Sequence, residues 1–104
     1  IFWESSITHD TINYGREFDY VYQNFFENLK ALGTINNTII FLLSDHSYNM
    51  GEFLSSIEGR LEKRLPMFFA LIPPNFQEKY GKAYRNLLEN SRKLTTHFDL
   101  YETL

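Results

Sequence analysis

Apolar residues fall along this chain in two rhythms. Phe18, Val21, Tyr22, Phe25, Phe26, Leu29 and Leu32 recur at steps of three and four, with Glu17, Gln23, Asn24, Glu27, Asn28 and Lys30 on the other face. That spacing predicts an amphipathic helix, and Gly33 suits its C-terminal cap. The second rhythm is unbroken: Thr38-Ile39-Ile40-Phe41-Leu42-Leu43 has no polar alternation and predicts a strand buried on both faces. It runs directly into Ser44-Asp45-His46. A second apolar run, Met67-Phe68-Phe69-Ala70-Leu71-Ile72, is stopped by Pro73-Pro74 and predicts another strand. Ile1-Phe2-Trp3 reads as the end of an earlier strand, which would complete a parallel βαβ unit with the helix and the Thr38–Leu43 strand.

Between these elements the chain is polar. Ser47 to Glu58 reads as a loop, with Gly51 and Gly59 as breakers, and Gly59-Arg60-Leu61-Glu62-Lys63-Arg64 as a charged run leading to Leu65-Pro66. Asn75 is placed to cap a short helix through Tyr80, and Tyr84, Leu87 and Leu88 suggest another. Thr96-x-x-Asp99 resembles a capping box with Asp in place of Glu, opening a last helix.

Composition narrows the classes. A chain of 104 residues is enough for one small domain, and ten Phe, seven Tyr and one Trp give it much area to bury. Net charge is -3 with Lys and Arg spread along the sequence, which argues against a nucleic-acid surface. Cysteine is absent, so disulfides and zinc–thiolate sites are excluded. No apolar run approaches the ~20 residues of a membrane span. The sequence opens at Ile1 without Met and stops at Leu104 within a predicted helical turn. Strands buried on both faces also need neighbours that two or three strands do not supply. The expectation is a partial domain, residues 1–104, cut at both ends, with open sheet edges that favour aggregation.

The candidate chemistry begins at Asp45-His46, because sites in open α/β sheets collect beyond the carboxyl ends of strands. A carboxylate oxygen and a neutral imidazole nitrogen are both competent ligands for Zn²⁺ or Mn²⁺. In a regular strand the two side chains point to opposite faces, so one ion can take both only where the chain turns. His9-Asp10 is a second polar pair after a predicted strand, and in a parallel sheet its loop would open on the same edge. Its bland reading is a loop that satisfies its own backbone. Arg60, Lys63 and Arg64 read as a solvated face compensated by Glu62, or else as an anion-binding cluster. His97 reads as a local loop residue, Asn36-Asn37-Thr38 is a glycosylation sequon in a secreted protein, and the aromatic stripe Phe18, Tyr22, Phe25, Phe26 reads as core.

The stretch Phe41-Leu42-Leu43-Ser44-Asp45-His46-Ser47-Tyr48-Asn49-Met50-Gly51 resembles the alkaline-phosphatase superfamily, and more narrowly a sulfatase-like animal family of unknown function. Thr8-His9-Asp10, Asn37 to Phe41, Gly59 to Pro66, Leu94-Thr95-Thr96 and Phe98-Asp99-Leu100 agree with it in the same order, so the similarity spans nearly the whole chain. The resemblance implies a three-layer α/β/α sandwich, of which this is the carboxy-terminal portion. It implies Asp45 and His46 as ligands of a divalent metal (Zn, Mn or Ca) and His9 as a contact to the phosphate or sulfate of an ester substrate. The nucleophile would lie upstream, and the location would be extracellular or in the secretory lumen. Two positions depart from the pattern: Ser47 stands where Gly is usual, and His97 where relatives often carry Pro.

The function implied is that of a metal-dependent hydrolase or phosphotransferase on phosphate or sulfate esters, with these residues alone inactive. The alternative is a domain that keeps the fold, has lost the chemistry, and binds or supports a partner.

Overall fold

The structure is a computed structural model, which describes residues 2–7, 9 and 13–104. It is mixed α/β. The elements run in chain order as helix α1 (Tyr14–Glu17), helix α2 (Asp19–Ala31), strand β1 (Ile40–Leu43), helix α3 (Ile57–Arg64), strand β2 (Phe68–Leu71), and helices α4 (Pro74–Lys79), α5 (Gly81–Asn90) and α6 (His97–Thr103). Short 3₁₀ turns at Thr34–Asn36 and Glu52–Ser55 lead into β1 and α3.

Helix α2 forms where the three-and-four spacing predicts it. Gly33 closes it at φ 71°, in the left-handed region that a side chain resists, with the Gly33 N–H donating to the Lys30 carbonyl at 3.0 Å. Helix α6 starts behind Thr96 as the sequence predicts. The Asp99 carboxylate accepts the Thr96 backbone N–H at 2.7 Å and its hydroxyl at 2.8 Å. Helix α4 is started differently from expectation. Pro74 takes the first helical position, where its missing N–H costs nothing, and Asn75 instead reaches Asn37 Oδ1 at 3.0 Å.

Helix α3 corrects the reading of Gly59 as a breaker. Ser56 caps the helix by accepting the Gly59 N–H at 2.9 Å, which places Gly59 inside the first turn. Gly59 is buried against the preceding 3₁₀ turn, and a Cβ there would stand 2.0 Å from the Phe53 carbonyl oxygen. The glycine is needed for close approach, not for bending.

The sheet corrects two further expectations. Strands β1 and β2 pair antiparallel, in the register Ile40↔Leu71, Phe41↔Ala70, Leu42↔Phe69 and Leu43↔Phe68. Phe41 and Phe68, diagonal neighbours on one face, stack with centroids 5.8 Å apart. The connection between them carries a helix and permits either direction of return; the parallel partner expected for the Thr38–Leu43 strand was Ile1–Trp3, not this strand. Phe2 and Trp3 are not in a strand, and Ile1 lies outside the described residues, as do Thr8 and Asp10 of the early loop.

The strands are also not buried on both faces. β1 is half-buried, and Phe68 and Phe69 of β2 are exposed. The stripe on α2 is likewise not core: Phe25 is 52% exposed, and the principal neighbours of α2 are α1 and the Thr34–Asn36 turn. No large side chain among the described residues is buried, and the solvent-accessible surface is 9109 Å². A compact folded chain of this mass would expose about 6,100 Å². The radius of gyration tells the same story at 16.1 Å, against about 13 Å for a compact domain of this length.

Two glycines give opposite expectations. Gly59→Ala should destabilise the natural full-length protein by about 1–3 kcal/mol, since the added methyl meets backbone that must shift. Gly81→Ala should be neutral or stabilising, because its Cβ would meet only the Arg85 side-chain end at 3.6 Å, an ordinary contact. Thermal unfolding of the two variants checks this, and equal Tm values would contradict it.

Candidate metal centre

The site begins where the β ladder ends. The register of β1 and β2 would next pair Ser44 with Met67, and the Ser44 N–H does donate to the Met67 carbonyl at 3.0 Å. The return bond is altered. The Met67 N–H donates to the Ser44 hydroxyl at 2.9 Å, so the hydroxyl takes a place that a backbone carbonyl fills in a regular ladder. The Ser44 carbonyl instead accepts the His97 Nε2–H at 2.9 Å, across 53 positions of sequence.

Beyond Ser44 the chain bends at Asp45 and His46. The bend removes the opposite-face problem of a strand. Asp45 Oδ2 and His46 Nε2 face one another at 3.6 Å, while Asp45 Oδ1 accepts the His46 backbone N–H at 2.9 Å. His46 Nδ1 lies 2.8 Å from the Ser47 carbonyl. A carbonyl only accepts, so Nδ1 carries the proton and Nε2 presents its lone pair. Two ligand atoms held ~2.1 Å from one ion at a tetrahedral angle stand roughly 3.4 Å apart, close to what is seen here. A histidine that donates its other N–H to a backbone carbonyl is also the usual arrangement of a metal ligand. The donor set therefore fits one divalent cation. The pair is open to solvent, with side chains 55% exposed at Asp45 and 65% at His46.

Among the described residues no third His, Cys, Asp or Glu joins this pair in a group able to hold a metal, and His9 is not brought into one with them. His9 is exposed in a bend of the early loop. Arg60, Lys63 and Arg64 are exposed along α3. The shallow surface depressions lie elsewhere, beside Leu88, Glu89, Arg92 and Lys93 and around Lys79 to Asn86.

His97 corrects the reading of a local loop residue. It opens α6 and is the side chain by which that helix reaches the end of β1. The sequence offered one signal, the position of His97 between Thr96 and Asp99 at the start of a helix, but nothing in it specified Ser44 as the partner. Ser47 carries no positive φ, for no described residue other than glycine does. Gly51 does, at φ 81° and ψ 179°, a region essentially restricted to glycine.

What the fold and site define is a mixed α/β chain with an aspartate–histidine pair converging at a strand end. The chain belongs to the family described as "Protein of unknown function (DUF229)", whose model matches residues 1–104. No curated protein and no solved structure matches it. No helix among the described residues is long and apolar enough to cross a membrane.

The cap that aims His97 is sensitive to acid. Hydrogen bonds from the Thr96 hydroxyl, and then its backbone N–H, hold the Asp99 carboxyl below the usual aspartate range. A depressed folded value means that the carboxylate stabilises the cap above the ordinary pKa and loses that effect as pH falls through the depressed one. Acid titration of helicity should show this loss in the natural protein and a weaker one in Asp99→Asn. Identical acid limbs would remove Asp99 from the cap.

Proposed function

We propose that this chain supplies two metal ligands, Asp45 and His46, to a metal-dependent hydrolase or phosphotransferase acting on phosphate or sulfate esters. The fold of the whole would be the three-layer α/β/α sandwich of the alkaline-phosphatase superfamily, in its sulfatase-like branch. The observation that carries this reading is the convergence of Asp45 Oδ2 and His46 Nε2 at 3.6 Å, with the His46 tautomer set by Ser47. Motif and geometry support the same two atoms independently.

In this reading Asp45 offers charge and His46 a neutral nitrogen, a pair suited to Zn or Mn, whereas Ca, which the resemblance also allows, would draw on the Asp45 oxygen alone. A bound divalent cation would polarise the ester oxygen and offset charge that develops in displacement. Asp45 uses one carboxylate oxygen on the His46 backbone, which fixes the direction of the other. The Ser47 carbonyl holds the His46 proton on Nδ1, so the ring does not turn its N–H toward the cation. His9 would contact the anionic group of the substrate, and an upstream hydroxyl or modified cysteine would attack.

The test is a metal titration of the natural full-length protein, joined to turnover of aryl phosphates and sulfates. Asp45→Asn and His46→Gln should each weaken cation affinity by ~100-fold or more and abolish metal-dependent turnover, given that loss of even an outer-shell partner costs 10–100-fold. Unchanged affinity in both variants would overturn the assignment. Tight metal binding with no turnover of any ester would favour the inactive, partner-binding alternative.

The same reading places the protein outside the cell or in the secretory lumen. Asn36 supports it: the sequon residue is exposed at the end of the Thr34–Asn36 turn, two residues before the exposed Thr38. Protein from animal cells should carry a glycosidase-sensitive mass increment that Asn36→Gln removes, and an unmodified Asn36 would withdraw this support.

A further inference from the structure

We infer that His97 is a positioning residue for the metal centre, acting through the Ser44 carbonyl on the direction of Asp45 and His46. The inference rests on the reading of those two residues as ligands. It is carried by the exchange of hydrogen bonds at the last rung of the ladder. In a regular antiparallel pair Ser44 and Met67 would trade both N–H···O bonds, and the Ser44 carbonyl would point along the sheet toward Met67. Here the Ser44 hydroxyl accepts the Met67 N–H at 2.9 Å, and the carbonyl is held by His97 Nε2 at 2.9 Å.

The Ser44 carbonyl belongs to the peptide plane whose nitrogen is that of Asp45. Because this plane is rigid, fixing the carbonyl fixes the Asp45 N–H, and with it the backbone from which the Asp45 side chain departs. Asp45 then ties down His46 through its Oδ1. A single imidazole thus sets the start of the bend at Asp45 and His46. Its own aim is set by α6, where Asp99 binds Thr96, the residue before His97. The route is continuous: Asp99 to Thr96, His97 to Ser44, Asp45 to His46.

The requirement is for an N–H at the Nε2 position, not for an imidazole. Glutamine places its amide nitrogen the same number of bonds from Cα, whereas leucine fills comparable space with no donor. In the natural full-length protein, titrated with Zn²⁺ and with Mn²⁺, His97→Leu should weaken cation affinity by ~10-fold or more, within the range for supporting residues. His97→Gln should restore it to within about twofold of the natural value. Ser44→Ala should also weaken binding, since the Met67 N–H can then return to the Ser44 carbonyl and compete with His97. The double variant should be no worse than the worse single one, because both act on one bond.

A His97→Leu protein that binds as the natural one does would overturn the inference while leaving Asp45 and His46 as ligands. Equal losses in His97→Leu and His97→Gln would overturn it too, for they would make the role one of packing. A natural protein that binds neither cation, or an Asp45→Asn variant that binds normally, would remove the underlying reading and the inference with it.

Discussion

The last rung of the β1–β2 ladder governs this structure. Four residue pairs bring two distant stretches of chain together in antiparallel register. At Ser44 the pattern changes hands from backbone to side chain. A serine hydroxyl is suited to that change, since it can accept a backbone N–H where a carbonyl has turned away. The turned carbonyl recruits His97, and the same local departure lets the chain bend at Asp45. Strand ending, the contact with α6 and the bend at Asp45 and His46 therefore meet at one residue. An apolar residue at position 44 would keep the ladder bond and lose the reason for the bend.

Away from that joint the elements are held by local contacts. α3 lies on the Glu52–Ser55 turn through Gly59, and α4 meets α5 directly. Burial contributes little to holding them together, because the described residues enclose no large side chain. The stripe on α2 and the open faces of the sheet remain in water, at roughly 25 cal/mol for each Å² left unburied. The backbone is organised into regular elements while many large apolar side chains stay exposed. This division explains why short-range features of the sequence (caps, turns, helix periods) agree with the structure, and why burial does not.

Helix α2, its Gly33 cap, the Thr96–Asp99 box and both strands were legible because each is encoded within a few residues. The direction of strand pairing was not, since an apolar run such as Phe68–Leu71 reads the same from either end. Burial on both faces was expected from the unbroken apolar runs and is not seen, since an apolar run records what can be buried and not what packs against it. Within the site, the adjacency of Asp45 and His46 was legible and their convergence was not. Convergence depends on a bend, and the carbonyl at the start of that bend is held by His97, fifty-three positions away from Ser44. Gly59 was misread because glycine signals both chain breaks and close contacts, and only the position of Phe53 separates the two.

Ser47 bears on whether such a site is degenerate. A glycine at that position would matter physically if the backbone there needed positive φ, since a serine would then carry strain of about 1 kcal/mol or more. It carries none, because positive φ among the described residues falls only on Gly33 and Gly51. The loop after Asp45 and His46 meets its one glycine-only conformation at Gly51. Meanwhile the Ser47 carbonyl, which any residue would possess, holds the proton on His46 Nδ1. The backbone at position 47 is thus unstrained, and strain gives no reason to read the exchange of glycine for serine there as a mark of lost chemistry.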